Sequence, residues 1–351
     1  MDAGQTAGGL IVSALPGPDL PLPIERALAD LAPAGVILFD RNLKTENQIR
    51  DLTGAIREVV GRPVLIAVDL EGGRVNRLKH LHPAWAALPR GIQQASWERA
   101  KLEDLWESVG QALVALGFDI DFHPPVDLDD SDGTNAIGDR SFGLDPKRTA
   151  QTARAILVGL QRAGIIGCLK HYPGLGGTTL DTHVGLASSP LSKDELWERH
   201  AAPYRELAEI APMIMTAHAH YPAVDGPEPL PATYSPRLLQ EWLRDRIGYR
   251  SVIISDDLEM GAVADGTSAG KRALLALKAG CDLAMFCQEL DAPLYARDEI
   301  AVRLERGDLA WDEISEKSTR LKLLLASHRG GRGARPPYQS ALSSLESLLS
   351  T

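Results

Sequence analysis

Eight short apolar runs recur along the chain, at residues 9–15, 35–39, 64–68, 118–122, 165–169, 213–216, 252–254 and 283–286. Most are continuous rather than alternating, as expected of strands buried on both faces of a parallel sheet. Between them lie segments with apolar residues three or four apart. Residues 46–60 carry Ile49, Leu52, Ile56 and Val60 in this spacing, and 98–116, 147–163, 193–209, 236–246, 268–279 and 291–306 are built similarly. Glycines 35, 117, 164 and 280 stand between such a segment and the next run, where a glycine caps a helix C-terminus. Eight strands alternating with helices predict an α/β fold, a single-domain TIM-type (β/α)8 barrel over residues 1–329. An open doubly wound sheet is the alternative, but it needs fewer strand units and no G-x-G-x-x-G follows the first run. Residues 311–328 read as a last helix. The breaker-rich stretch 330–337 and the residues after it read as a flexible or short-helical tail, 330–351.

In a barrel of this type, chemistry gathers at the C-terminal ends of the strands. Here seven of the eight runs end in polar or ionisable groups. The second ends at Asp40-Arg41-Asn42, the third at Asp69 followed by Glu71 and Arg74, and the fourth runs into His123 and Asp127. The fifth ends at Lys170-His171, the sixth at His218 and His220, the seventh at Ser255-Asp256-Asp257, and the eighth at Cys287-Gln288. A single Asp or Ser after a strand is as well explained by helix capping. Seven together favour a polar pocket. Carboxylates, arginines, histidines and one lysine suit a polyhydroxylated ligand, whose hydroxyls take charge-assisted hydrogen bonds. Asp256-Asp257 at the seventh strand end would repel phosphate.

The stretch from Lys170 to His183 reads K-H-Y-P-G-L-G-G-T-T-L-D-T-H, and Ser255 to Met260 reads S-D-D-L-E-M. These resemble the K-H-F-P-G-x-G, D-[ST]-H and S-D-D-L-x-M patterns of glycoside hydrolase family 3. Upstream, A-V-D-L-E-G-G-R-V from Ala67 and I-G-D-R-S-F from Ile137 fit the same family. The match is closest to the single-domain bacterial β-N-acetylhexosaminidases of peptidoglycan recycling. The resemblance implies a TIM-type barrel, Asp256 as catalytic nucleophile, His183 as general acid/base and Asp181 as its orienting partner. It also implies sugar binding by Asp69, Arg77, Arg140, Lys170 and His171. Leu175 stands where many members have His, so that position is not essential to acid/base work here. Leu70 replaces the usual Gln, which touches local substrate contacts and not the reaction.

The implied reaction is retaining exo-hydrolysis of terminal β-linked N-acetylglucosamine, from cell-wall muropeptides, through a glycosyl-enzyme on Asp256. In the usual two-carboxylate arrangement the carboxyl groups lie ~5–5.5 Å apart; here a histidine replaces one of them. An imidazole with an unperturbed pKa near ~6.5 needs little tuning to protonate the leaving oxygen and then deprotonate water. Asp181 would hold its tautomer, as the Asp does in a Ser-His-Asp triad. Because this pair sits on a Pro- and Gly-rich loop, the loop is expected to move and close on substrate.

Composition bounds the partners. The formal net charge of −10 and the absence of a basic stripe disfavour nucleic acid. No window approaches the ~20 apolar residues of a membrane span, and no signal-peptide pattern opens the chain. Three cysteines, all in or beside apolar runs, read as buried thiols in a reducing compartment, so the location expected is cytoplasmic. The partner expected is a small carbohydrate, with no cofactor and no metal. Three other readings stand beside this one. The first is a metal hydrolase using His218, His220, His80, His82, His171, His183 or Asp256. The second is a family 3 β-glucosidase or β-glycoside phosphorylase. The third is a non-catalytic sugar-binding barrel.

Overall fold

Eight parallel strands close on themselves in chain order in a computed structural model of the protein. They are β1 (Ile11–Ala14), β2 (Gly35–Leu38), β3 (Leu65–Val68), β4 (Ile120–Asp121), β5 (Ile166–Tyr172), β6 (Met213–Thr216), β7 (Val252–Asp257) and β8 (Leu283–Phe286). Strand β8 returns to β1, with Ile11 opposite Ala284, and this pairing completes the (β/α)8 barrel. The structure describes residues 2–129, 137–178, 185–264, 266–288, 290–329 and 337–350. Each strand falls on one of the eight apolar runs. β5 and β7 extend past their runs, so Lys170, His171 and Asp256 sit on the strands themselves. β4 is short: Pro124 and Pro125 beyond it have no N–H to donate, and pairing with β5 recurs there only as an isolated bridge, Pro125 opposite Lys170.

Alternate residues divide the strands between two cores, as the period of two requires. Val12, Ile37, Ala67, Phe122, Cys168, Met215, Ile254 and Met285 fill the barrel interior. Their neighbours Ile11, Val36, Ile66, Leu169, Ile214, Ile253 and Ala284 pack outward under the helices. The interior is a packed plug of side chains, so a ligand has access only at the mouth.

The helical segments between strands lie where the apolar spacing puts them. Among the helices outside that pattern are Ala3–Gly8 and Leu22–Leu31. The first is six residues long with two glycines. The second begins around Pro21 and Pro23, which fit a first turn because no intrahelical N–H bond is needed there. At the C-terminal end of the chain, Tyr338–Ser350 is a helix that docks on Arg99–Leu116. Trp85 Nε1 donates to Tyr338 Oη at 2.9 Å. The helix Trp311–Arg329 covers the opposite end of the barrel from the mouth, and its Leu324 joins the interior core. The breaker stretch 330–336 lies outside the described residues.

That closed end is tied by one carboxylate. Asp282, buried just before β8, accepts from Ile253 N–H (2.8 Å), Arg244 Nη2 (2.7 Å) and Arg320 Nε (2.8 Å). It thereby joins β7, the segment Arg237–Arg246 and the helix Trp311–Arg329. Removing one partner of a buried ion pair strands the other charge, which costs about 3–5 kcal/mol. Asp282→Ala is therefore expected to destabilise the fold by roughly that amount in urea titration. A loss below about 1 kcal/mol would show that the site is open to water.

Candidate active site

The C-terminal ends of the strands surround a cavity of ≈ 250 Å³. Its lining includes the charged or titratable residues Asp69, Glu71, Arg74, Arg77, Arg140, Lys170, His171, Asp256 and Asp257, and the apolar residues Ile37, Phe39, Met215, Met260 and Met285. A larger cleft, ≈ 430 Å³, opens at the closed end beside Pro63, Trp311 and Leu325. It lacks a carboxylate–cation network, and catalysis in barrels of this kind sits at the strand C-termini.

Lys170 is the centre of the network. It is 2% exposed, and its Nζ lies 2.8 Å from Asp69 Oδ1 and 2.7 Å from Glu71 Oε1. Glu71 also receives a two-pronged contact from Arg140, Nε to Oε2 and Nη2 to Oε1, both at 2.7 Å. This fork-to-fork geometry fixes both planes. Asp69 sits where β3 leaves the barrel, and Glu71 sits in the hairpin Leu70–Gly72/Val75–Asn76 that follows. Arg140 arrives on the turn Gly138–Arg140 after β4. Gly91 lets that turn approach, because a Cβ there would collide with the Arg140 carbonyl oxygen. Arg77 is looser. Its Nη2 lies 4.0 Å from Asp69 Oδ2, and its Nη1 donates to Asp40 Oδ2 at 3.4 Å.

A second carboxylate orients the next residue. Asp127, fully buried, lies 2.8 Å from His171 Nδ1 and accepts the backbone N–H groups of His171 (3.2 Å) and Leu175 (2.7 Å). It fixes both the imidazole and the start of the glycine-rich loop. The Lys170–His171 and Tyr172–Pro173 peptides are cis.

Asp256 is the penultimate residue of β7 and lines the cavity, and its Oδ1 accepts the N–H of Asp257 at 2.8 Å. Asp257 turns away. Its Oδ1 accepts Glu259 N–H (2.9 Å) and Cys287 N–H (3.1 Å), which joins β7 to the end of β8. His218 is held at both nitrogens, with Nδ1 2.7 Å from Thr233 Oγ1 and Nε2 2.9 Å from the Asp257 carbonyl oxygen.

Burial and charge set the protonation states. Burial opposes charge on Glu71, but Arg140 and Lys170 outweigh it and hold the carboxyl well below its usual range. Lys170 also loses solvation, yet Asp69 and Glu71 keep it above the ordinary lysine value. For Asp256, burial is outweighed by His171, His218 and the Asp257 N–H, so it is ionised at neutral pH. Its neighbour goes the other way. Burial, then the charges of Glu259 and Asp256, push Asp257 up to about 7. Burial lowers His218, which therefore remains neutral.

Of the residues singled out in the sequence, Asp69, Arg77, Arg140, Lys170, His171 and Asp256 converge on this one cavity. Asp181 and His183 lie outside the described residues. Lys170 and His171 are both ion-paired and cavity-lining, so pairing and ligand binding are not alternatives for them. Sequence reasoning set Glu71, Asp127 and His218 among the polar strand ends, and His218 among possible metal ligands, but gave none of them a role in sugar binding or hydrolysis. Three other histidines do not line the cavity. His80 is exposed, His82 caps the short helix Pro83–Ala86, and His220 bonds Leu230. Among the described residues no three His, Cys, Asp or Glu side chains are grouped to hold a metal ion.

Comparison with known proteins agrees with this geometry. The model of the glycosyl hydrolase family 3 N-terminal domain matches residues 23–324. A β-hexosaminidase of Alkalilimnicola ehrlichii is 38% identical over 266 residues, 74% of this chain and 74% of its own length. One from Stenotrophomonas maltophilia is 37% identical over 298 residues, 80% of this chain and 87% of the relative. Among solved structures, a family 3 β-N-acetylglucosaminidase from Paenibacillus sp. superposes with a TM-score of 0.90 at 27% identity, covering 98% of this chain and 68% of that one. A family 3 member from Mycobacterium smegmatis gives 0.82 at 27% identity, covering 92% and 97%. Barrel, site and relatives together define a glycoside hydrolase. The chain belongs to glycosyl hydrolase family 3.

Two outcomes test the network. Glu71→Gln leaves Lys170 and Arg140 short of one negative charge, so kcat/KM should fall about 10²-fold or more, read in steady-state assays. Unchanged kinetics would mean that the cluster does not support the site. Asp257 has a folded-state pKa above its unfolded value, so the folded state holds its proton over a range where the unfolded chain has lost it. Its contribution is therefore present below the ordinary Asp value of 3.8 and is lost as pH rises to about 7. Asp257→Asn mimics the protonated form and should gain stability relative to wild type across that window, with no further change above it. Urea titrations at several pH values measure the difference, and a flat difference would contradict the assignment.

Proposed function

We propose that the protein is a retaining exo-β-N-acetylglucosaminidase that removes terminal β-linked N-acetylglucosamine, with cell-wall muropeptides as the natural class of substrate. Asp256 is the nucleophile, His183 the acid/base and Asp181 its orienting partner. Asp69, Arg77, Arg140, Lys170 and His171 hold the sugar.

One observation carries this reading. Asp256 is an ionised carboxylate near the end of β7, lining the same cavity as the Asp69–Lys170–Glu71–Arg140 network. A nucleophile must be charged and fixed when the anomeric carbon arrives, and a strand end fixes it better than a loop does. Paired carboxylates and cations at the cavity wall suit sugar hydroxyls, which both donate and accept. The methionines among the lining residues, Met215, Met260 and Met285, suit a methyl-bearing substituent such as an acetamide. The cavity's small volume and its floor of packed barrel core support attack on one terminal ring.

Chemically, Asp256 attacks the anomeric carbon while His183 protonates the leaving oxygen. Water, deprotonated by His183, then displaces Asp256 with net retention. The relatives named β-hexosaminidase and β-N-acetylglucosaminidase support an acetamido sugar over glucose. No helix among the described residues is long and apolar enough to cross a membrane, and this leaves the compartment open. We assign the cytoplasm on the sequence pattern alone.

An aryl β-N-acetylglucosaminide should be hydrolysed faster than the matching β-glucoside. Asp256→Ala and His183→Ala should be slower than wild type, with about 10³-fold or greater loss for the nucleophile. Turnover should not depend on added phosphate. Equal rates in the Asp256→Ala variant would remove the catalytic assignment, and sugar 1-phosphate as product would make the enzyme a phosphorylase.

A further inference from the structure

Asp121 ends β4 and is fully buried. It stands directly beside the place where β3 gives way to the site. The β3–β4 pairing runs only to Val68 opposite Asp121, and beyond it the chain leaves the barrel for the hairpin that bears Glu71. The next backbone donor that needs a partner is Leu70 N–H. It is taken by a side chain instead of the ladder: Asp121 Oδ1 accepts it at 2.9 Å. Leu70 is the residue between Asp69 and Glu71, the two carboxylates that hold Lys170. Two carboxyls therefore hold one ammonium, Glu71 is further shared with Arg140, and the Asp121 carboxyl is tied to the backbone between them with its Oδ2 buried and unpartnered. A third negative charge at this depth would have no cation of its own, and burying an unpaired charge costs several kcal/mol. Burial keeps the Asp121 carboxyl well above its usual range. Asp69 and Glu71 act in the same direction, against the Leu70 hydrogen bond and Lys170.

We propose that Asp121 is a positioning residue for sugar binding: its Oδ1 fixes Leu70 N–H and so sets where Asp69 and Glu71 stand around Lys170. The inference rests on the reading of Asp69 and Lys170 as substrate-binding residues. It assigns Asp121 no contact with substrate. Its effect should fall on binding, through Asp69, more than on the chemical step at Asp256.

Two variants separate this role from general packing. Asp121→Asn keeps the oxygen acceptor without charge. Asp121→Leu keeps similar bulk and removes the acceptor. Steady-state kinetics on an aryl β-N-acetylglucosaminide and hydrogen exchange at the Leu70 amide are measured on both, with melting curves to confirm folding. Asp121→Asn should stay within about threefold of wild-type KM and keep Leu70 protected. Asp121→Leu should raise KM about tenfold or more, lower kcat less, and speed Leu70 exchange. If Asp121→Leu does not fold, Asp121→Ser, whose hydroxyl is too short to reach Leu70, is judged by the same criteria. The proposal is overturned if Asp121→Asn is as impaired as Asp121→Leu, because the charge would then be needed. It is equally overturned if the folded variant lacking the acceptor keeps wild-type KM and Leu70 protection. Exchange at Leu70 does not depend on which glycoside is cleaved. A wild-type enzyme inactive on the aryl substrate would therefore sink the functional reading and leave exchange to decide this one.

Discussion

The buried ammonium of Lys170 sets the terms for everything around it. An isolated lysine at 2% exposure would lose its proton or unfold its surroundings, since desolvating the charge costs several kcal/mol. Asp69 and Glu71 offset that cost only if both stand within hydrogen-bond reach, and they come from the end of β3 and from the hairpin beyond it. Glu71 in turn needs Arg140, which comes from the turn after β4. Three separate excursions at the barrel mouth are therefore interlocked by charge, without a continuous sheet to align them. The arrangement leaves the lysine charged and immobile at the cavity wall, which is the state in which it can bind a hydroxyl without reorganising.

The two adjacent carboxyls of β7 show the same rule with opposite results. Asp256 faces His171, His218 and Lys170 and is held ionised, whereas Asp257 points at Glu259 and the end of β8 and is pushed up to about 7. One neighbour suits a nucleophile and the other suits a structural acceptor. Environment divides the roles, as it does in other pairs of active-site acids. His218 links the two by donating to the Asp257 carbonyl while remaining neutral beside Asp256.

Much of this was legible in the chain. The eight apolar runs place all eight strands, because a strand buried on both faces leaves no freedom in residue type. Lys170, His171 and Asp256 were visible as abrupt charge at the ends of such runs. Less legible were groups whose role depends on who faces them. Glu71 looks like any hairpin acid until Arg140, 69 residues away in the chain, is seen on it. Asp127 and Asp121 are single acids after a short strand, and only the register with β3 and β5 shows which backbone N–H each will meet. The helices Ala3–Gly8 and Leu22–Leu31 were hidden for a different reason. They are short, six and ten residues, so each offers too few turns for apolar periodicity to be read along the chain. Residues 340–349 could be read as helix or disorder, and docking on Arg99–Leu116 decides it, through burial of Tyr338, Leu342 and Leu345.

The central claim is that Asp256 forms the bond to sugar. Its most direct measurement is peptide mapping by mass spectrometry after reaction with a fluorinated, slowly turned-over N-acetylglucosaminide. The account predicts one added glycosyl mass on the peptide from β7, fragmenting to Asp256, released with the return of activity. A label on any other side chain, or inactivation with no covalent adduct, would contradict it.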